Sequence, residues 1–284
     1  DADRLLAGFF KISYDIIIYY NKDLFDQAGL AYPPSDWADT SWTWDAFASD
    51  CQALTNVSGN WIDATFHYGA SFSFLYPWES LAALWGEDFY PSTAYETGFA
   101  DTATLDSPQV IEAVQAYQDL LHTSQCIPNV VMAGQLWGAG HPFVTQKVAM
   151  YITDSWDMYI FRDITDFKWG IAALPYGNAD RLGMIQTDSW AISKGSAHPD
   201  EAWTLLKYIV SPEVMAKFSQ QTGLAPSRSS ALEGWYKTFS SLDPEELKET
   251  HLGSFKYGRI NPGEALVGYS TIRSKLDSLF YMPI

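Results

Sequence analysis

Residues 171–228 read IAALPYGNADRLGMIQTDSWAISKGSAHPDEAWTLLKYIVSPEVMAKFSQQTGLAPSR, and the rest of the chain is organised around this stretch. Its apolar run Ile171–Leu174 is closed by Pro175, and a second run resumes at Trp190–Ile192. Short apolar runs bounded by turn residues are typical of buried strands. We therefore predict two short buried strands here.

Two helices follow in the same stretch. Pro199 fits the first position of one helix, and Ser211 fits the cap of a second helix that Gly223 ends. The first helix has an apolar stripe at spacings of three and four residues, formed by Ala202, Leu205, Leu206, Ile209 and Val210. We expect this stripe to cover the two strands.

A strand and a helix are also predicted near the start of the chain. The run Ile16–Tyr20 is β-branched and aromatic, as buried strands are. Asn21 fits the cap of a short helix at Lys22–Ala28, which Gly29 ends. Thr43 fits the cap of the next helix.

The composition limits the classes of partner. The chain has 284 residues, of which 47% are apolar, and its formal net charge is -17. Such a charge repels phosphate backbones and anionic membranes, so we expect no nucleic-acid partner.

The sequence has no run of about 18 apolar residues that could span a bilayer. Its first residues, DADRLLAGFF, lack the basic region and cleavage site of a secretory signal.

The two cysteines do not show whether the protein works in an oxidising or a reducing compartment. Cys51 shares one helical face with Phe47 and Leu54, so a buried free thiol is favoured over a disulfide with Cys126. The five histidines show no metal-ligand spacing, and we predict no metal and no cofactor.

Four segments resemble one known family. They are YDIIIYYNKDLFDQAGL (14–30), KVAMYITDSWDMYI (147–160), WAISKGSAHPDEAWTLLKYIVSPE (190–213) and TGLAPSR (222–228). Each is similar to a segment of the bacterial ABC-transporter extracellular solute-binding proteins, in their sugar-binding, maltose-binding-protein-like group. The resemblance implies an α/β fold of the type II periplasmic-binding-protein kind, with two lobes joined by hinge crossovers.

The resemblance also implies a division of the chain. Residues 1–16 would be a remnant of lobe one with the first hinge, and residues 17–168 would form lobe two. Residues 169–227 would return to lobe one, and residues 228–284 would supply further helices of lobe two and a third crossover. Because the similarity begins almost at the first crossover, lobe one is expected to be incomplete.

Aromatic residues make up 16% of the chain, with 12 Trp, 17 Tyr and 16 Phe. The apolar face of a sugar ring packs on an aromatic face, while its hydroxyls need polar partners. Most of these rings must still fill the core. The excess favours a neutral sugar or oligosaccharide as the ligand.

The resemblance places a strand and its following turn at the ligand. There Trp156 would stack on a sugar, flanked by Ser155 and by Asp154 as a hydroxyl acceptor. Trp190 could instead fill the core, and Arg228 could cap the preceding helix. The remaining candidates for ligand contact are Tyr76, Trp78, Trp85, Glu87, Asp188, Trp190 and Arg228.

The resemblance implies that the protein is the extracytoplasmic substrate-binding component of an ABC importer. It would act as a monomer in the periplasm or as a cell-surface lipoprotein, and it would deliver a sugar to a membrane permease without catalysis. The alternative is a glycoside hydrolase, which needs two carboxyl groups astride the bond. Glu87, Asp154 and Asp188 are the acids available for that role.

Overall fold

A computed structural model describes residues 9–73, 78–177 and 181–278, and shows a mixed α/β fold. The strands are β1 (Phe9–Asn21), β2 (Tyr68–Phe72), β3 (Val148–Asp154), β4 (Trp169–Ala172), β5 (Gly183–Trp190) and β6 (Gly258–Ile260). The helices are α1 (Lys22–Ala28), α2 (Trp44–Ala53), α3 (Trp78–Leu84), α4 (Ser92–Thr97), α5 (Pro108–Gln118), α6 (Val130–Ala139), α7 (Met158–Phe161), α8 (Pro199–Ile209), α9 (Pro212–Thr222), α10 (Ser229–Tyr236), α11 (Pro244–Tyr257), α12 (Pro262–Ala265) and α13 (Tyr269–Leu276). A π-helical turn, Asp119–Thr123, extends α5, and a 3-10 turn, Ser155–Asp157, follows β3.

The long strand β1 joins two groups of strands. Its first part, up to Asp15, pairs antiparallel with β5, and its last part, from Ile16, pairs antiparallel with β3 and β4. The sheet order is β2-β3-β1-β5-β6, with β4 also paired to β1. One continuous strand therefore links both halves of the sheet.

The core lies around the second half of β1. Residues 16–20 are buried, as their β-branched and aromatic sequence predicts. Tyr19 packs edge-on against Phe161, with ring centroids 4.7 Å apart, and Trp169 of β4 is fully buried beside them.

The predicted helix starts are confirmed by local capping contacts. Asn21 accepts a hydrogen bond from the backbone N–H of Leu24 at 3.1 Å, and Gly29 ends α1 with φ of 67°. Thr43 caps α2 in the same way. Ser211 occupies the cap position of α9, but its side chain makes no capping hydrogen bond.

The predicted strand at Trp190–Ile192 is wrong. The strand β5 ends at Trp190, whose side chain is 39% exposed, and residues 191–192 are not in a strand. The stripe of α8 is also less buried than predicted, because only its Leu206 is buried while Leu205 is 57% exposed. Sequence periodicity shows which residues share a face but does not show what covers that face.

The predicted free thiol is also wrong, because Cys51 and Cys126 form a disulfide. Their Cα atoms are 5.7 Å apart and both side chains are fully buried. The pairing joins α2 to the segment before α6, which are distant in sequence, so local spacing around Cys51 carried no information about it.

Arg181 fixes a long loop before α2. Its guanidinium is buried and donates hydrogen bonds to four backbone carbonyls, with N···O distances of 2.6 to 3.1 Å. Those carbonyls belong to Asp36, Trp37, Asp39 and Trp42. The carbonyls of Asp36 and Trp42 also accept from the backbone N–H groups of Asp39 and Tyr176, so the guanidinium adds a charged donor to carbonyls along the whole loop.

Candidate functional site

The candidate site lies where β3 ends beside β1 and β5. Asp154 is the last residue of β3, and Ser155 and Trp156 begin the following 3-10 turn. Asp154 and Ser155 are buried, whereas Trp156 is half-buried. The three consecutive residues that the resemblance predicts at the ligand therefore lie at this strand end.

Asp154 connects β3 to β5 across β1. Its Oδ1 accepts a hydrogen bond from Nε2 of Gln186 on β5 at 2.9 Å, and the side chain of Trp156 is a second hydrogen-bond partner. Burial, and then the nearby carboxylates of Asp157 and Asp15, raise the pKa of Asp154 to about 7 against the opposing effect of these hydrogen bonds. Near neutral pH this carboxyl can therefore donate as well as accept a hydrogen bond.

Ser155 ties the turn to β1. Its Oγ accepts a hydrogen bond from the backbone N–H of Asp15 at 3.2 Å, and both residues are buried. The turn that presents Trp156 is therefore held against the point where β1 passes from β5 to β3.

Trp156 forms an aromatic surface with Tyr159. The two rings are nearly parallel, with an interplanar angle of 26° and centroids 6.0 Å apart. Tyr159 is 44% exposed. Sequence reasoning missed Tyr159, although its spacing of three residues from Trp156 within a helical turn indicates a shared face.

Asp188 lies on β5 two residues after Gln186, so the two side chains lie on the same face of the strand. Oδ2 of Asp188 accepts a hydrogen bond from the hydroxyl of Tyr14 at 2.7 Å. Both Tyr14 and Gln186 were missed from the sequence. The strand period would have identified Gln186 if β5 had been assigned its full length.

Two candidates make contacts that do not involve Asp154. Trp85 is 7% exposed and packs edge-on against Trp44 in the core, with ring centroids 5.2 Å apart. Glu87 is half-buried and its Oε1 accepts a hydrogen bond from the backbone N–H of Asp88, within its own loop. The structure does not place either one beside Asp154.

The last four candidates are placed as follows. Trp190 is exposed at the end of β5 rather than filling the core. Arg228 donates from Nε and Nη2 to the carbonyl of Val210 at 3.2 and 2.8 Å, so it caps the end of α8 and not that of the preceding helix, α9. Tyr76 lies outside the described residues, and Trp78 begins α3 but its side chain is not described.

The pKa of Asp154 predicts how stability depends on pH. A carboxyl with a raised folded-state pKa stabilises the folded state in acid, and this contribution is lost as the pH rises from about 4 to about 7. We expect the free energy of unfolding to fall by on the order of 3 kcal/mol over that range through this group. Asp154→Asn should remove that part of the pH dependence.

Urea unfolding of both proteins at pH 5 and pH 8 measures the effect. Asp188→Asn is the matched control, because Asp188 is a strand carboxylate that stands outside the buried group around Asp154. Equal pH slopes for the wild type and Asp154→Asn would contradict the assignment.

Within the part of the chain that the structure describes, no helix has the length and apolar character to cross a bilayer.

The chain resembles solved structures of two-lobe binding proteins. An ABC substrate-binding protein of Listeria monocytogenes in complex with cycloalternan matches with a TM-score of 0.75 and 22% identity, over 95% of this chain and 64% of that one. The maltose/maltodextrin-binding domain MalE of Bdellovibrio bacteriovorus bound to maltotriose matches with a TM-score of 0.67 and 20% identity, over 96% and 65%. These likenesses confirm the two-lobe periplasmic-binding-protein fold.

Sequence comparison gives the family. The sn-glycerol-3-phosphate-binding periplasmic protein UgpB of Yersinia pseudotuberculosis is 25% identical over 245 residues, which cover 81% of this chain and 50% of UgpB. The chain thus spans about half the length of the curated relatives it matches. The family model for bacterial extracellular solute-binding proteins matches residues 2–245. The chain therefore belongs to the family of bacterial extracellular solute-binding proteins.

Proposed function

We propose that the protein captures a neutral sugar or oligosaccharide outside the cytoplasm and delivers it to the permease of an ABC importer. The observation that carries this proposal is the surface formed by Trp156 and Tyr159 beside the polar groups of Asp154 and Gln186. An aromatic surface accepts the apolar face of a sugar ring, and the polar groups bind its hydroxyls. Asp188 extends the polar side along β5.

The charges around the site favour a neutral ligand. Asp154 lies among the carboxylates of Asp15 and Asp157, which raise its pKa, and Asp188 lies on β5, on the other side of β1. Arg228, the candidate cation from the sequence, donates to a helix-end carbonyl. A phosphate group would therefore meet carboxylates rather than a cationic partner. This sets the proposed ligand apart from the one in the name of the relative UgpB.

The proposed division into lobes follows β1. Residues 17–168 form lobe two, residues 1–16 and 169–227 belong to lobe one, and residues 228–284 add lobe-two helices and a further crossover. Ligand binding would close the lobes about β1, and the closed form would dock on the permease. We propose that the protein acts as a monomer, either free in the periplasm or as a cell-surface lipoprotein.

Titration calorimetry of the full-length protein tests the ligand class. The panel contains maltotriose, glucose, sn-glycerol-3-phosphate and inorganic phosphate. We expect heat of binding with at least one neutral saccharide and none with the phosphates. Binding confined to the phosphates would overturn the proposed ligand class.

Release of smaller sugars from a bound oligosaccharide, if it is lost in Asp154→Asn, would instead favour the alternative function of a glycoside hydrolase.

Trp156→Ala is expected to weaken saccharide binding by about 2 kcal/mol or more. Aromatic residues that are covered by a bound partner carry much of the binding energy. The thermal midpoint should fall less than it would for a core tryptophan, since the ring is only half-buried and the main loss is its hydrogen bond to Asp154. Calorimetry and thermal unfolding of the same sample measure both effects.

Trp61→Ala is the matched control, because Trp61 is also half-buried but lies in the loop before β2, at the opposite end of β3 from the site. It should leave affinity unchanged. A collapsed midpoint in Trp156→Ala with normal affinity of the folded fraction would make Trp156 a core residue.

A further inference from the structure

A buried carboxylate lies at the point where β1 changes partners. Asp15 is paired with Ile185 of β5, and the next residue, Ile16, is paired with Asp154 of β3. The Asp15 side chain is 1% exposed. A carboxylate buried to this extent needs partners that compensate for its lost hydration.

Those partners come from helix α11. The hydroxyl of Ser254 donates to Oδ2 of Asp15 at 2.5 Å, and Nδ1 of His251 lies 3.4 Å from Oδ1. Both side chains are buried. Oδ1 of Asp15 and Nδ1 of His251 are each without a hydrogen-bond partner among the described residues, and they lie within ion-pair distance of each other without meeting hydrogen-bond geometry.

The imidazole of His251 is held in place by aromatic rings. The ring centroids of Trp235 and Phe255 lie 5.0 and 4.9 Å from that of His251, and the ring of Tyr236 lies 6.0 Å away. These contacts restrict the rotation of the imidazole. Its Nδ1 therefore lies toward Asp15, and this contact adds to the hydrogen bond that Glu246 of α11 accepts from the hydroxyl of Tyr20 on β1.

The same residue of β1 also contacts the candidate site. The backbone N–H of Asp15 donates to Oγ of Ser155, which precedes Trp156. A continuous path of contacts thus runs from α11 through Asp15 to the turn that presents Trp156. On the other side of this junction, β5 carries Gln186 and Asp188.

We propose that His251 and Ser254 are positioning residues for ligand binding. By holding the Asp15 carboxylate from α11, they set the angle at which the two parts of β1 meet. This angle in turn determines how the side chains of Gln186 and Asp188 on β5 are oriented toward Trp156. This inference rests on the proposed saccharide binding, because it explains how two residues that do not contact the ligand affect its affinity.

His251→Phe and His251→Asn test the proposal as a pair. Phenylalanine keeps the ring packing but has no donor for Asp15, whereas asparagine keeps a side-chain N–H near the place of Nδ1. We expect His251→Phe to weaken maltotriose binding about tenfold, because the buried Asp15 carboxylate then loses its polar contact with the imidazole. His251→Asn should recover most of that affinity even if it unfolds at a lower temperature than His251→Phe.

Ser254→Ala should also weaken maltotriose binding. Its matched control is Ser219→Ala, because Ser219 is a buried helix serine whose hydroxyl donates to the carbonyl of Leu224 and not to β1. Affinities that follow the thermal midpoint across all four variants, or His251→Asn as weak as His251→Phe, would overturn the proposal, since a purely structural role predicts both.

Amide hydrogen exchange without ligand separates this proposal from the proposed function. We expect His251→Phe to speed exchange of the β1 amides around Asp15 while those of β2 stay unchanged. If maltotriose and glucose do not bind to the wild type but this local change is seen, the saccharide proposal fails and the positioning contact stands. Unchanged exchange in β1 would overturn the positioning contact itself.

Discussion

Replacing Arg181 by methionine is expected to lower the free energy of unfolding by about 3 to 5 kcal/mol. The guanidinium is 1% exposed, and it donates to four backbone carbonyls of the loop at residues 36–42. Methionine fills similar space but has no donor, so those carbonyls lose their charged partner in a place that excludes water. Urea unfolding at pH 7 measures the change.

Arg162→Met is the matched control for this prediction. Nη1 of Arg162 donates to one carbonyl, that of Gln221, and its side chain is partly exposed to solvent. Water can replace that contact, so a loss below about 1 kcal/mol is expected. A similarly small loss in Arg181→Met would show that the loop does not depend on this side chain.

Removal of the Cys51–Cys126 disulfide is expected to lower the free energy of unfolding by about 4 kcal/mol. The sequence separation is 75 residues, and a crosslink that closes a long loop restricts the unfolded chain strongly. The double variant Cys51→Ala, Cys126→Ala tests this without burying a hydroxyl. Its unfolding is compared with that of the oxidised protein in urea.

A thiol count checks the premise of that experiment. The unreduced protein, unfolded in denaturant, should show no free thiol, and two should appear after reduction. Two free thiols before reduction would restore the sequence-based prediction of a free Cys51. The stability of the double variant would then differ from that of the wild type only through packing.

The elements that sequence reasoning predicted correctly are those set by neighbouring residues. Asn21 and Thr43 cap their helices through contacts three residues away, and Gly29 ends α1 through its own backbone conformation. Pro199 likewise begins α8 as predicted. The family resemblance added the position of Asp154 and Trp156 at the end of β3.

The errors and omissions involve residues that meet only in the folded chain. Cys51 finds Cys126 because α2 packs beside the segment before α6. Gln186 reaches Asp154 because β1 lies between their strands. Nothing near Trp85 in sequence indicates that Trp44 will cover it. Such pairings depend on topology, which local periodicity does not contain.

Because β1 is one continuous strand, it also limits where residues can be inserted into or deleted from this protein. Because successive side chains of a strand point to opposite faces, inserting or deleting one residue near Asp15 would invert every side chain on one side of the change. Residues 16–20 are buried on both faces, so each of their side chains would then meet neighbours that pack against a different side chain. A two-residue change would restore the faces but would slide one half by about 7 Å against its partners. Near Asp15 this strand should therefore tolerate substitutions better than the gain or loss of a residue, whereas further from the core β1 already carries a register shift between Phe10 and Ile12.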